Sequence, residues 1–286
     1  MQGKSAKRKN KAQFPAILTQ TAPRRGFSLM PNRPMPCVLN IAAYMFVSLD
    51  DLPTLKDAIL HALATREIKG TVLLAEEGIN LFLAAPSLEI HDFLAWLRID
   101  DRFADLETKE SWSAAQPFHK RLVKIKPEII RMNHPAIRPS AGRAPAVSAR
   151  TLKRWLDSGH DDAGRPVVML ETRNRYEIEA GTFKNAIDWQ LDKFTEFPQA
   201  VQAHREELAG KTVVSFCTGG IRCEKAAIYL EEAGISNVYQ LDGGILSYFE
   251  ECGQAHFEGE CFVFDDRRAV NAALKPRVNP CALSDS

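Results

Sequence analysis

Several features that would assign a function directly are missing from this 286-residue sequence. It has no apolar run of the roughly 18–20 residues that a membrane span needs, and no apolar segment follows its basic N-terminus as in a secretory signal. Its six cysteines form no CxxC pair, and its seven histidines form no HxH or HxxxH pair. No flavin or nicotinamide fingerprint is present. These absences predict a cytoplasmic protein with no membrane association, no metal site and no evident cofactor.

The composition is that of a globular protein with an acid-free basic segment at its N-terminus. Hydrophobic residues make up 45% and charged residues 26%, and the length predicts two domains of ordinary size or one large domain. Net charge is only +1, so any binding of nucleic acid depends on local basic patches. Residues 1–37 contain eight Lys or Arg and no Asp or Glu. This basic arm is interpreted either as a flexible solvated tail or as an RNA-binding arm that orders on contact.

Hydrophobic periodicity predicts a first domain over residues 38–133. A strand is expected over Leu39–Leu49 and a helix over Leu52–Arg66. Residues 70–85 predict two strands around a turn at Glu76-Glu77-Gly78, followed by a second helix ending near Leu97. Residues 121–130 alternate apolar and basic residues, as a half-exposed strand does. The order strand, helix, strand, strand, helix, strand is that of a ferredoxin-like α+β domain.

Residues 134–147 are rich in proline and small residues, which predicts an interdomain linker. A second domain is expected over residues 148–255, with a C-terminal extension over 256–286. Ser148 has the position of a helix N-cap, and short apolar strands are predicted at 167–172, 211–217 and 237–241. Their alternation with helices, one of them over 223–233, predicts an α/β domain with a parallel sheet and helices on both faces.

The segment most informative for chemistry runs from Val213 through Cys217 to Arg222. A buried strand ends at Cys217, a Gly-Gly pair follows, and a helix begins near Arg222. The glycines allow backbone N–H groups to turn toward the sulfur, while the helix N-terminus and the arginine add positive charge. Such surroundings stabilise a thiolate, so Cys217 is the predicted nucleophile. The predicted loop comprises Thr218, Gly219, Gly220, Ile221, Arg222 and Cys223.

This loop resembles that of the rhodanese superfamily. The segment from Glu171 to Ile187 is similar to the superfamily's D-x-R-x-x-x-E…G-H-x-x-G-A-I signature, with Glu171 and Thr182 in place of the usual Asp and His. The resemblance implies a supporting role for Arg173 and Glu177, which we expect to pair with each other. Four residues separate Cys217 from Arg222, one fewer than in related phosphatases, which argues against phosphatase activity.

A longer stretch, from CTGGIRCEKA through YLEEAGISNVYQLDGGILSYFEE to FEGECFVFDDRRAV, resembles the bacterial rhodanese-related tRNA uridine hydroxylases. EEGIN at residues 76–80 is also similar, although Leu81 stands where the family usually has glycine. The resemblance implies a ferredoxin-like domain joined to a rhodanese domain. It also implies oxygen-dependent hydroxylation of the wobble uridine, in the anticodon region of tRNA, with Cys217 essential. Molecular oxygen is then a co-substrate, while the oligomeric state stays undetermined.

Two chemical roles for Cys217 remain open. It attacks C6 of the uracil, which makes C5 electron-rich, or it carries the oxygen as an oxidised cysteine. Two other functions also remain open. One is a sulfurtransferase that carries a persulfide on Cys217, in thiosulfate transfer or a tRNA-thiolation relay. The other is a non-enzymatic RNA-binding or regulatory module, which the intact loop disfavours.

Residues outside the loop carry further hypotheses. Cys223 either resolves an oxidised Cys217 as a disulfide or packs beneath the loop, whereas Cys252, Cys261 and Cys281 are interpreted as structural. A phosphate-contacting face or a solvated sheet face is predicted for Lys120, Arg121, Lys124, Lys126 and Arg131, with Lys109 nearby. Phe262, Phe264 and Arg267 either stack on a splayed base or form a packed strand.

Overall fold

A five-stranded sheet and two helices form the first domain of the computed structural model, which describes residues 38–276. The strands are β1 (Val38–Phe46), β2 (Lys69–Ala75), β3 (Gly78–Pro86), β4 (Lys109–Ser113) and β5 (Arg121–Ile125), and the helices are α1 (Leu52–Thr65) and α2 (Ser87–Leu97). The strand order is β4-β1-β3-β2-β5. All neighbouring pairs are antiparallel except β2 with β5.

The predicted ferredoxin-like arrangement is confirmed, but one of its strands was assigned wrongly. The fourth strand of the unit is β4, which pairs with β1 and was not predicted. The basic segment at residues 121–130 instead supplies β5, an added strand at the opposite edge, and it ends at Ile125. Pro127 follows closely and has no N–H for a ladder. The predicted strand was therefore too long and in the wrong position of the sheet.

The two faces of the first sheet have different partners. Leu39, Ile41 and Ala43 alternate along β1 and pack with α1 and α2 in the core of the domain. Ala42, Tyr44 and other side chains of the intervening positions line a cleft that the second domain closes. Leu81 belongs to the core, inside β3, so the turn before β3 does not depend on it.

The second domain is built around a parallel four-stranded sheet. Its strands are β6 (Ala146–Val147), β7 (Val167–Glu171), β9 (Thr212–Phe216) and β10 (Val238–Leu241), in the order β6-β10-β9-β7. The helices are α3 (Ala149–Ser158), α4 (Arg175–Ile178), α5 (Phe197–His204), α6 (Ile221–Glu232) and α7 (Gly244–Cys252). Side chains of α3 and α7 pack in one cluster with the sheet, and those of α5 and α6 pack in another. The predicted parallel sheet with helices on both faces is confirmed, and the Ser148 hydroxyl accepts the Thr151 N–H as an N-cap.

The segment predicted as a linker packs onto the second domain. It contains a 3₁₀ turn at Pro139–Ala141 and supplies β6, which pairs with β10. Ile137 and Ala144 are buried in the same cluster as α5 and α6. The parallel sheet therefore begins two residues before Ser148, inside the predicted linker.

The C-terminal extension also packs onto the second domain. Its first strand, β11 (Phe257–Gly259), pairs with β8 (Gly181–Phe183), and β12 (Cys261–Phe262) pairs with β13 (Ala269–Val270). The extension reaches the first domain too, because Arg267 donates from Nη1 to the Ser111 hydroxyl at 2.7 Å.

The predicted basic arm, Cys37 and Cys281 lie outside the described residues. Within residues 38–276, no helix combines the length and apolar character that crossing a bilayer requires.

Candidate active site

The cysteine loop connects β9 to α6, as the sequence predicts. Gly220 has φ +98° and directs its N–H to Sγ of Cys217 at 3.2 Å. Hydrogen bonds from α7 fix the loop carbonyls: the N–H groups of Ile245 and Leu246 donate to the carbonyls of Cys217 and Thr218 at 3.0 and 3.1 Å. Gly244 makes this close contact possible, since a Cβ there would lie 2.6 Å from the Cys217 carbonyl oxygen.

The loop favours a thiolate at Cys217. Burial raises the pKa of this thiol, but a hydrogen bond from Cys223, the charge of Arg222 and backbone N–H groups outweigh burial and lower the pKa to about 6. The N-terminus of α6 points toward the same loop and adds to this stabilisation. Cys217 is fully buried and belongs to the lining of the cleft between the two domains.

The expected pairing of Arg173 with Glu177 is wrong. Arg173 forms a buried bidentate pair with Glu171, at 2.9 Å from Nε and 2.7 Å from Nη2. Glu177 instead holds Arg222 of the cysteine loop, at 2.5 and 2.7 Å. Thr182 donates to Glu171 at 2.8 Å, so the two departures from the rhodanese signature contact each other.

The remaining cysteines have different surroundings. Cys223 is buried beneath the loop, where its sulfur lies 3.8 Å from the Thr172 hydroxyl. Burial and the adjacent Cys217 raise the pKa of Cys223, so the pair shares one negative charge located on Cys217. Its role as a resolving cysteine stays a prediction. Cys261 is buried in the core of the second domain and Cys252 is half-buried beside it.

A polar network that the sequence did not predict joins the first domain to the loop. Tyr44 of β1 donates to Oε1 of Glu224 at 3.2 Å. Glu224, on α6, also accepts from Nε of Arg143 at 2.8 Å and from Nε2 of Gln240 at 3.0 Å. Tyr44 and Glu224 are 180 residues apart, so no local pattern could identify the pair. The only available signal was Glu224 itself, inside the CTGGIRCEKA motif.

A buried ammonium group ties the two domains together next to this network. Lys225 is 2% exposed and contacts Glu77 at 2.9 Å and Glu128 at 2.7 Å, both from the first domain. Its Nζ also donates to the Ile130 carbonyl at 2.9 Å. Glu77 follows β2 and Glu128 follows β5, so this cation fixes two ends of the first sheet on the helix that carries Arg222.

The two domains enclose a cleft of about 360 Å³ above Cys217. The first domain contributes aromatic and apolar walls, including Tyr44, Phe46 and Phe82, and the extension contributes Phe264. The rings of Phe82 and Phe264 lie 5.8 Å apart. Apart from the thiol of Cys217 and the phenol of Tyr44, the ionisable side chains in the lining are Asp105, Glu107, Lys109, Arg143, Arg222, Glu224 and Asp242.

The residues predicted to contact RNA lie in two places. Lys120, Lys124, Lys126 and Arg131 are exposed on or beside β5, whereas Arg121 is held by donation from its Nε to the Ile68 carbonyl at 2.8 Å. Phe264 and Lys109 line the cleft, but Arg267 does not and pairs with Asp265. Across residues 38–276, no three His, Cys, Asp or Glu side chains converge as ligands for a metal ion.

Two family models match the chain. The UPF0176 acylphosphatase-like domain matches residues 38–129, and the rhodanese-like domain matches residues 148–251. Together these matches span most of the described residues and correspond to the two domains of the structure.

Several bacterial proteins similar to this chain share the name tRNA uridine(34) hydroxylase. A tRNA uridine(34) hydroxylase of Bordetella petrii is 64% identical over 242 residues, which cover 85% of this chain and 96% of the relative. The protein of that name from Variovorax paradoxus is 63% identical, with 84% of this chain and 91% of the relative covered. The corresponding protein of Bordetella pertussis is also 63% identical, and all of its length is covered.

Two solved structures each match about two fifths of the chain. A human single-domain sulfurtransferase covers 38% of this chain and 97% of its own, with 24% identity and a TM-score of 0.32. A Saccharomyces cerevisiae homologue of single-domain rhodanese and of the Cdc25 phosphatase catalytic domain covers 40% of this chain and 87% of its own. That structure is 18% identical and has a TM-score of 0.35.

Proposed function

We propose, because this chain belongs to the tRNA uridine(34) hydroxylase family, that it hydroxylates the wobble uridine of tRNA to 5-hydroxyuridine in the cytoplasm, using Cys217. The observation that carries the proposal is the position of the cysteine loop at the floor of a cleft walled by both domains. Neither domain alone encloses this cleft, which gives the pairing of the two domains a catalytic purpose.

The size and the walls of the cleft suit one base taken out of a single strand. A volume of about 360 Å³ is near the lower end of the range for ligand sites, about 300–1,000 Å³. Phe82, Phe264 and Tyr44 offer aromatic surfaces on which an unstacked base can pack. Position 34 lies in the single-stranded anticodon loop, so its base can be splayed at low cost.

The charges in the cleft favour a neutral group over an anion. Four carboxylates face three cations in the lining, and the thiolate of Cys217 adds another negative charge. Two of the cations, Arg143 and Arg222, are already paired with the carboxylates Glu224 and Glu177. A uracil base enters such a cleft without electrostatic penalty, whereas thiosulfate or phosphate is repelled. This balance disfavours small-molecule sulfurtransfer and phosphatase chemistry.

Cys217 acts as the nucleophile in this proposal. Its thiolate adds to C6 of the uracil, so that an S–C6 bond forms and the C5=C6 π pair moves toward C5 and O4. C5 then becomes electron-rich toward the oxidant, for which we propose molecular oxygen as the co-substrate. One oxygen atom goes to C5, and the other leaves as water with two electrons from an external donor. A thiol with a pKa of about 6 is mostly ionised at neutral pH, which supports attack without a separate base for the sulfur.

The surface around β5 is our proposed contact for the tRNA backbone. Lys124 is exposed on this edge strand, Lys120 and Lys126 are exposed directly before and after it, and Arg131 is exposed farther along the chain. The strand β5 is separated from β3, which lines the cleft, only by β2. Because adjacent strands lie about 4.8 Å apart, phosphates near the anticodon can contact β5 while the base is in the cleft.

Mass spectrometry of tRNA from a strain that lacks the gene tests the function. We expect uridine 34 to lose one oxygen relative to wild type, and the wild-type gene, but not Cys217→Ser, to restore it. Serine keeps the size of the side chain but is far less ionised, so the variant should fold and remain inactive. Loss of a sulfur from the tRNA would instead identify the protein as a sulfurtransferase.

A further inference from the structure

A phenol of the first domain lies against the cysteine loop. A Cβ built on Gly220 falls 2.9 Å from the hydroxyl oxygen of Tyr44, and the N–H of the same glycine lies 3.2 Å from Sγ of Cys217. Tyr44 and Cys217 therefore both lie next to Gly220, and both line the cleft. The phenol oxygen is therefore next to the loop that carries the Cys217 sulfur.

The proton of this phenol points to a carboxylate held in place by other side chains. Tyr44 donates to Oε1 of Glu224, which is only 4% exposed. Arg143 and Gln240 bind the same carboxylate, at 2.8 and 3.0 Å, so its orientation does not depend on Tyr44. Burial, together with the charges of Glu224 and Cys217, raises the pKa of Tyr44, which keeps the phenol protonated at neutral pH.

Release of a hydroxylated uracil from Cys217 requires a base. After the thiolate has added to C6 and C5 has gained a substituent, C5 still carries its original hydrogen. Its removal lets the C5–H electron pair form the C5=C6 bond while the S–C6 pair returns to sulfur as thiolate. This elimination is redox-neutral and needs no co-reactant other than a proton acceptor.

We propose that Tyr44 and Glu224 form the proton relay for this step. The oxygen of Tyr44 takes the proton from C5 while its own proton passes to Oε1 of Glu224, and the reverse transfer delivers a proton to C5. Tyr44 is then a catalytic residue supplied by the first domain. The inference deepens the proposed function and rests on it, including attack of Cys217 at C6.

Other ionisable groups of the cleft fit this role less well. Arg143, Arg222 and Lys109 carry no acceptor when protonated. Among the carboxylates of the lining, Asp105 and Glu107 are exposed, and Asp242 is 58% exposed and pairs with Arg143. Glu224 is the buried carboxylate of the lining, and Tyr44 connects it to the loop.

The relay is tested by hydrogen exchange at C5 without oxygen. An unmodified tRNA transcript with U34 is incubated with the full-length enzyme in D₂O under anaerobic conditions, and the mass of uridine 34 is followed. Addition of Cys217 at C6, deuteron delivery to C5 and elimination of the original proton raise this mass by one unit. We expect exchange with wild type, none with Cys217→Ser, and a rate lowered by about 10²–10⁴-fold with Tyr44→Phe.

Controls separate catalysis from folding and binding. Tyr176→Phe removes a hydroxyl that lies outside the cleft lining and should exchange within twofold of wild type. Tyr44→Phe should bind the transcript within about twofold of wild type. If Tyr44→Phe does not fold, Glu224→Gln decides, because glutamine still accepts from Tyr44 but does not take up its proton, and the same loss is expected.

Three results would overturn the relay. The first is exchange by Tyr44→Phe at the wild-type rate. The second, which applies if Tyr44→Phe is unfolded, is exchange by a folded Glu224→Gln at the wild-type rate. The third is the absence of exchange by a wild-type enzyme that hydroxylates the same transcript in air. The last result would leave the proposed function intact. Failure of the proposed function itself is a separate outcome, since uridine 34 of tRNA from the deletion strain would then keep its oxygen.

Discussion

The buried pair between Arg222 and Glu177 gives the sharpest test of the cysteine loop. The two side chains are 5% and 0% exposed and form two hydrogen bonds, at 2.5 and 2.7 Å. Replacing Arg222 with Met leaves the Glu177 carboxylate buried without its counter-charge. Loss of one partner from such a pair costs about 3–5 kcal/mol, which we expect as the decrease in the free energy of unfolding of Arg222→Met, measured in urea.

A double variant separates the charge from the fold. Arg222→Met combined with Glu177→Gln removes both charges, and glutamine keeps an acceptor for the Asn174 N–H that Glu177 now binds at 3.1 Å. The double variant should therefore be more stable than Arg222→Met alone. The Arg222 charge helps to lower the pKa of Cys217. In both variants, the rate at which iodoacetamide alkylates Cys217 should therefore reach its midpoint at a higher pH than in wild type.

Two results would contradict the role assigned to the Arg222–Glu177 pair. If Arg222→Met is within about 1 kcal/mol of wild type, the carboxylate is not trapped in a dry environment and finds water or another partner. If the alkylation midpoint of Cys217 does not move in either variant, backbone N–H groups and Cys223 alone stabilise the thiolate. Arg268→Ala, outside the loop, serves as the control and should change neither stability nor midpoint strongly.

Three further predictions follow from the site. Alkylation of wild-type Cys217 should rise with pH through about 6 and then level off, because only the thiolate reacts; a midpoint above 8 in a pH series would contradict the loop's effect on the pKa. Gly220→Ala should destabilise the protein by about 1–3 kcal/mol, since φ is +98° and the new Cβ lies 2.9 Å from the Tyr44 hydroxyl; an unchanged urea midpoint would refute this. Replacing Lys124 and Lys126 with Ala should weaken tRNA binding and reduce the salt slope by about 0.7–0.9 per lost contact, in a salt titration with Lys184→Ala as control. If the Lys124 and Lys126 variant has the same salt slope as the Lys184→Ala control, β5 is excluded as the phosphate-contacting surface.

Local features were predictable from the sequence because their causes are local. The strand that ends at Cys217, the Gly219-Gly220 turn and the helix after it follow from hydrophobic pattern and backbone freedom within about a dozen residues. The N-cap at Ser148 is equally local, since its hydroxyl binds an N–H three residues later. The resemblance to the hydroxylase family rests on these same segments.

Other features of the first domain depend on partners far away in the chain. The strand β4 has the sequence KESWS, which lacks alternation of apolar residues, and it forms only because β1 offers an edge about seventy residues earlier. The segment after Ile125 was predicted to continue the strand, but Pro127 and the contact of Glu128 with Lys225 direct it toward the second domain instead. Propensity within the segment carries no information about either partner.

The candidate site shows the same division. The sequence by itself predicted Cys217 as the nucleophile and determined the loop around it and the order of the two domains, because each follows from contiguous segments. Only the tertiary structure decided that Glu177 pairs with Arg222, that Arg173 pairs with Glu171, and that Tyr44 reaches Glu224 across 180 residues. The physical reason is that a buried charge is satisfied by whichever partner the packed domains bring within hydrogen-bonding distance, and that choice is not encoded in spacing along the chain.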